Sequence, residues 1–112
     1  MITRTAVFEG RLKDGCDEEA FFAEIRDRLA PLWRQFPNAS NVRLHRIAST
    51  DDDKTPILMI QQIDYPSLAA VDEALASPVR TQARAVTMEL MENFEGRFYH
   101  LISEGNAVEP AA

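Results

Sequence analysis

In "PILMIQQID" (residues 56–64), Ile57, Met59 and Ile63 fall on one side of an extended chain, and Leu58 and Ile60 fall on the other. An antiparallel strand with one wet face alternates apolar and polar side chains, and this stretch does not. "RFYHLI" (97–102) behaves the same way, with Phe98 and Ile102 opposed to Tyr99 and Leu101. A sheet built from such strands needs cover on both faces.

The segments around these strands say how much cover the chain itself supplies. "ITRTAVFEGRL" (2–12) is β-branched and aromatic, contains no proline and ends at the turn "KDG", so it reads as a strand. "DEEAFFAEIRDRLAPLWRQFP" (17–37) reads as a helix capped by Asp17, with Glu18 and Glu19 at the positive end of its dipole and Pro37 closing it. Phe22, Ile25, Leu29, Leu32, Trp33 and Phe36 recur at helical spacing, and Pro31 is expected to kink this helix. "NVRLHRIAS" (41–49) is a second strand, joined to "PILMIQQID" by the polar loop "TDDDKT". A helical region and a last strand, "GRFYHLISE" (96–104), complete the order β-α-β-β-α-β. That order predicts an α+β, ferredoxin-like fold: a four-stranded antiparallel sheet with two helices on one face. Two helices leave the other face bare. The economical cover is a second copy of the chain, so a homodimer through the sheet face is expected, with Leu58 and Ile60 as the pair meeting the partner.

The second helical region contains "ALASPVR" (74–80), where a proline interrupts the helix pattern. Ser77 suits an N-cap and Pro78 a first helical position, because the missing N–H has no intrahelical partner there. "SLAAVDEALA" (67–76) is therefore a short helix, and "PVRTQARAVTMELMENF" (78–94) restarts at a new angle. The corner either lets the chain follow a twisted sheet or lifts the second helix to open a pocket. In the second case Arg80 and the free N–H groups of the new helix favour an anion.

Length and composition limit the function. With 112 residues, 46% hydrophobic and 27% charged, the chain is one ordinary globular domain. The expected domain is residues 1–104, with a flexible tail at 105–112. A net charge of −6 argues against a nucleic-acid partner, which needs a basic surface. No apolar run approaches the roughly 20 residues of a membrane span, and charges are spread through residues 1–15 where a signal peptide is apolar. With a single cysteine the expected location is cytoplasmic.

"ALASPVR" followed by "NFEGRFYHLI" (93–102) resembles the dimeric α+β barrel superfamily, and within it the ethyl tert-butyl ether degradation (EthD-like) proteins. The resemblance in architecture spans residues 2–104. It implies a dimeric α+β barrel with an apolar cleft between sheet and helices. The superfamily's monooxygenases, isomerases, haem-degrading enzymes and stress-responsive proteins set the range of functions. EthD-like proteins often carry an acidic residue shortly before an Asn-Phe pair. Aligned on Asn93 and Phe94, this chain has Leu90 there, between Glu89 and Glu92.

Candidate chemistry is sparse. His45 and His100 lie on different strands, and neither they nor Cys16 sits at metal-ligand spacing, so no metal is expected. His100 is the expected catalytic group, because imidazole both donates and accepts near neutral pH. The plain alternative is a half-buried structural histidine. His45, between Arg43 and Arg46, reads as an exposed edge-strand residue. Tyr65, Arg80 and Arg97 are the expected ligand-binding residues. Tyr65 stands before Pro66, where it covers a pocket mouth or anchors a turn. Arg97, like Arg4, either pairs at a dimer seam or binds an acidic ligand. "DDDK" lacks the glycine and glutamate of a calcium loop, and Cys16 reads as inert. No Walker loop, GxGxxG or GxSxG is present, and no cofactor is expected. Three functions remain: a cofactor-independent isomerase or monooxygenase acting on a hydrophobic metabolite, a non-catalytic or stress-responsive ligand-binding dimer, and a haem-binding protein.

Overall fold

The structure, a computed structural model, describes residues 1–106 and Val108. Strand β1 (Ile2–Leu12) leads to helix α1 (Glu18–Glu24), a π-helical turn (Ile25–Leu29) and helix α2 (Ala30–Trp33). Strands β2 (Ser40–Arg46) and β3 (Ile57–Tyr65) follow, then helices α3 (Leu68–Leu75) and α4 (Pro78–Leu90), a 3-10 turn (Met91–Asn93) and strand β4 (Phe94–Glu104). The strands form one antiparallel sheet in the order β2-β3-β1-β4. This is the expected ferredoxin-like α+β fold, with each of the two helices divided. The expected tail, 105–112, falls largely outside the described residues.

Local chemistry explains both divisions. Asp17 caps α1 by accepting a hydrogen bond from the Glu19 N–H at 3.1 Å. The expected kink before Pro31 is a widened turn, in which the Ala30 N–H reaches the Ile25 carbonyl. A proline ring crowds the carbonyl four residues back, and a π-turn relieves that crowding without ending the helix. Ile25 and Leu29 within this turn stay buried, so the apolar stripe survives it. At the second corner the Ser77 hydroxyl donates to the Ala74 carbonyl at 2.6 Å and accepts from the Arg80 N–H at 3.4 Å. One buried side chain thus closes α3 and opens α4.

The core lies between the helices and the side of the sheet that carries Ile2, Ala6, Phe8, Met59, Ile63 and Tyr65. Phe22, Ile25, Leu29, Trp33, Val71 and Ala74 meet them from the helix layer. The opposite sheet face carries Ile60, Val7, Tyr99 and Leu101, aligned by the pairings Val7–Ile60 and Val7–Tyr99. No helix covers it among the described residues. Ile60 is on this outer face, as expected, whereas Leu58 sits at the register shift between Ile57 and Met59 and packs partly against the core. Toward one end the face turns polar. There Asp64 accepts hydrogen bonds from Thr3 (2.8 Å) and Asn41 (2.9 Å) and pairs with Arg43 (3.2 Å). Burial pushes the Asp64 carboxyl up, but these three partners outweigh it and hold the carboxyl below its ordinary range.

Strands β1 and β4 contain the same tetrapeptide, Phe-Glu-Gly-Arg, at 8–11 and 94–97. They pair antiparallel about Gly10 and Gly96, so Glu9 faces Arg97 and Arg11 faces Glu95. Both pairs close, at 3.1 and 3.5 Å. Exposed pairs of this kind contribute at most about 1 kcal/mol each, so their effect is on register more than on stability. The glycines have φ of 149° and 145°, and a Cβ on either would collide with the partner strand's carbonyl oxygen. The strands therefore approach as closely as they do only because both residues are glycine.

Candidate active site

Helix α4 packs chiefly on α2 and the π-turn. A gap is left between α4 and the β1–β4 half of the sheet. This cavity, of about 60 Å³ and open on one side, has Arg4, Ala6 and Phe8 of β1, Phe98 and His100 of β4, and Gln61 of β3 as its floor. Arg80, Ala83, Arg84 and Thr87 form its roof, and Trp33 and Phe36 close one end. The four roof residues share a single face of α4, being three and four positions apart. The Ser77–Pro78 corner sets the angle of that helix, and so the gap lies where a lifted second helix would leave one.

His100 pairs with Ala6 across the sheet, which places it on the helix side. An aromatic ladder holds its ring: Phe94 meets Phe8 edge-on at 6.3 Å, Phe8 stacks on Phe98 at 5.4 Å, and Phe98 meets His100 edge-on at 6.0 Å. Burial of the ring, then the charges of Arg4, Arg80 and Arg84, lower the His100 pKa to about 4. The imidazole is therefore neutral at pH 7 and able to accept a proton. The residue remains open to solvent along the cavity's free side. Arg4 is itself held below its ordinary value, first by burial and partly by the charge of Arg80.

The structure brings His100 and Arg80 into one cavity and leaves Tyr65 and Arg97 outside its lining. Tyr65 is completely buried beneath the sheet, and its hydroxyl has no hydrogen-bond partner among the described residues. Burial raises its pKa and the charge of Arg4 opposes that rise, so the hydroxyl lies near Arg4 but covers no mouth. Arg97 points to the outer face, where it pairs with Glu9 and lies over the Tyr99 ring at 4.9 Å. That is a register contact, with alternation along β4 separating it from His100. Arg84 and Gln61 line the cavity without having stood out in the sequence. The i, i+4 spacing of Arg80 and Arg84 was the one signal that pointed to Arg84. Leu90, in the position of the EthD-like acid, is buried in the core, and Glu89 turns away to pair with Arg28 at 2.7 Å. His45 is exposed on edge strand β2. Among the described residues no three His, Cys, Asp or Glu side chains gather as a metal site, and no helix is long and apolar enough to cross a membrane.

Among solved structures, the chain superposes on an ethyl tert-butyl ether degradation (EthD) family protein from Bacillus halodurans with a TM-score of 0.69, at 16% identity over 95% of this chain and 100% of that one. The chain has that protein's fold. Its expected resemblance to EthD-like proteins is thereby met at the level of architecture. It is also similar to a hydroxynitrile lyase from Passiflora edulis (TM-score 0.68, 17% identity, 97% of each chain covered). A third match is a cofactor-independent oxygenase, SnoaB, from Streptomyces nogalater (TM-score 0.62, 16% identity, 98% of this chain and 97% of that one). No family model matches the sequence, and no curated protein does. The neighbours include small-molecule enzymes, so this EthD-like fold is one that supports such chemistry.

Proposed function

We propose that the chain is a cofactor-independent small-molecule enzyme, working as a homodimer on a hydrophobic substrate. His100 accepts a proton from the substrate, and Arg4, Arg80 and Arg84 stabilise the anion that remains. The observation carrying this is the placement of His100 beside Arg4 and beneath Arg80 and Arg84 in one cavity between the sheet and α4. Proton loss from a carbon beside a carbonyl sends the C–H electron pair toward the carbonyl oxygen. Fixed cations near that oxygen stabilise the enolate more than the neutral ketone, which lowers the barrier. The arginines that weaken His100 as a base also make the substrate a stronger acid. Return of the proton to another carbon completes an isomerisation. In a monooxygenase the same carbanion would add to dioxygen and take up a proton as a hydroperoxide, whose O–O bond breaks with loss of water to leave one oxygen as a new carbonyl.

The outer sheet face supports the homodimer, since Val7, Ile60, Tyr99 and Leu101 form an apolar surface that no helix covers among the described residues. A sequestering dimer without chemistry is the second reading. It is favoured by the lining itself, whose titratable groups are Arg4, Arg80, Arg84 and a weakly basic His100, with no carboxylate base. A haem fits poorly, because its wide rigid macrocycle cannot enter a gap of about 60 Å³ by one end as a slender ligand can.

Deuterium exchange tests the proton-transfer step directly, whatever product the full reaction forms. A panel of aryl ketones and unsaturated lactones in D₂O should exchange acidic C–H protons faster with wild type than with buffer, and His100→Ala should abolish the difference. No exchange by wild type, or equal exchange by His100→Ala, would leave the sequestering dimer as the better reading.

A further inference from the structure

We infer that this cavity takes a hydrophobic monocarboxylate, its carboxylate held between Arg4 on the sheet and Arg80 and Arg84 on α4. The inference rests on the proposed function only for the location of the site. The chain carries 18 acidic residues against 12 basic ones, so a surface arginine readily finds a carboxylate. Arg11, Arg26, Arg28, Arg43, Arg46 and Arg97 each do. Among the described residues four arginines make no ion pair: Arg34 is exposed to solvent, whereas Arg4, Arg80 and Arg84 face one cavity. Like charges that converge in a partly buried site repel each other and lose hydration, and a bound anion relieves both costs.

A second observation also points to a ligand. Gln61 is 6% exposed, lines the cavity, and makes no side-chain hydrogen bond among the described residues. An amide that opens onto a cavity without a protein partner is supplied with one when a ligand enters. Its NH₂ is a donor suited to a carboxylate oxygen. The remaining walls, Phe8, Phe98, Trp33 and Phe36, are aromatic and suit an apolar body rather than a second charged group. A space of about 60 Å³ seats the carboxylate end, and the rest of the ligand leaves by the open side along His100.

Trp33 is the only tryptophan in the chain and stands in the cavity wall, so its fluorescence reports occupancy. Octanoate and 4-phenylbutyrate should be titrated against their primary amides, with inorganic phosphate as a third probe. We expect each acid to bind at least about tenfold tighter than its amide at low salt, the scale of a charge-assisted hydrogen bond. The preference should shrink as salt is added, and phosphate should bind weakly for want of an apolar body. Arg4→Gln and Arg80→Gln should each remove most of the preference. Arg84→Gln, at an exposed position, should reduce it with no risk to the fold. A bound carboxylate should also raise the His100 pKa, followed by imidazole NMR in a His45→Gln background. Equal binding of acids and amides would overturn the inference, as would a preference that survives Arg4→Gln with Arg80→Gln. Failure of every probe to perturb Trp33 and His100 would overturn it too. If acids are preferred but deuterium exchange fails, the site is a carboxylate receptor without chemistry. If exchange succeeds and acids show no advantage, the enzyme reading stands and the monocarboxylate does not.

Discussion

His100 couples the candidate site to pH. The unfolded chain takes up the imidazole proton near pH 6.5, whereas the native chain does so only near 4. Between these values the unfolded state binds more protons, so the contribution of His100 to stability is complete above 6.5 and declines as pH falls toward 4. His100→Gln, which cannot titrate, should lose less stability than wild type between pH 6.5 and 4. Parallel urea melts at several pH values measure the difference, and identical pH slopes would show that the ring is not held neutral by its surroundings. Asp64 works in the opposite sense. Its folded carboxyl is held below its ordinary range, so its contribution is present at neutral pH and is lost as pH falls through the folded value. The two groups are on opposite sheet faces, because they sit on strands whose side chains alternate.

At the scale of elements, the pair of strands β1 and β4 sets the position of the site. Their Phe-Glu-Gly-Arg segments cross at Gly10 and Gly96, and the Phe8–Phe98 stack beside that crossing leads to His100. Gly96→Ala should cost at least about 3 kcal/mol, since it combines an unfavourable φ with a collision against the Glu9 carbonyl. Thermal unfolding measures this. A melting temperature within about 2 °C of wild type, on the order of the shift from a few tenths of a kcal/mol, would mean that the strands can separate without penalty. On the other layer Arg28 ties the π-turn to α4 through Glu89 at 2.7 Å, with Glu24 as its second partner at 3.0 Å. The hydrogen bond from Arg28 to Glu89, then that to Glu24, raises the Arg28 pKa. All three side chains are substantially exposed, so the triad orients α4 over the cavity more than it stabilises the fold.

For the whole molecule, one sheet and one layer of helices make a slab 20 Å thick and 49 Å long, with a radius of gyration of 15.2 Å. A compact chain of this length has about 13 Å. The excess goes with a flat two-layer shape, one sheet face of which no helix covers among the described residues. Under the proposed homodimer, Ile60→Asp places a charge at the centre of the buried face, where it has no partner. Sedimentation should then show wild type as a dimer at micromolar concentration and Ile60→Asp as a monomer or as unfolded protein. A folded wild-type monomer under these conditions would refute the homodimer.

The sequence by itself determined the element order, the caps at Asp17 and Ser77, and the placing of Ile60 on the side opposite Met59 and Ile63. These depend on neighbours within a few positions, where alternation, helical spacing and proline geometry act directly. The repeated Phe-Glu-Gly-Arg was also there to be read, and its charge pattern states the β1–β4 register in advance. Tertiary structure alone decided which arginines meet His100. Arg4, Arg80 and Arg84 come from elements far apart along the chain, and only the lift of α4 onto α2 brings their side chains over one gap. Arg97 is close to His100 in sequence but is excluded, because successive side chains of a strand take opposite faces and odd offsets never share one. The sequence left Arg97 and Arg4 with the same two roles, and the packing of two layers separated them: Arg4 lines the cavity and Arg97 pairs with Glu9 on the other face.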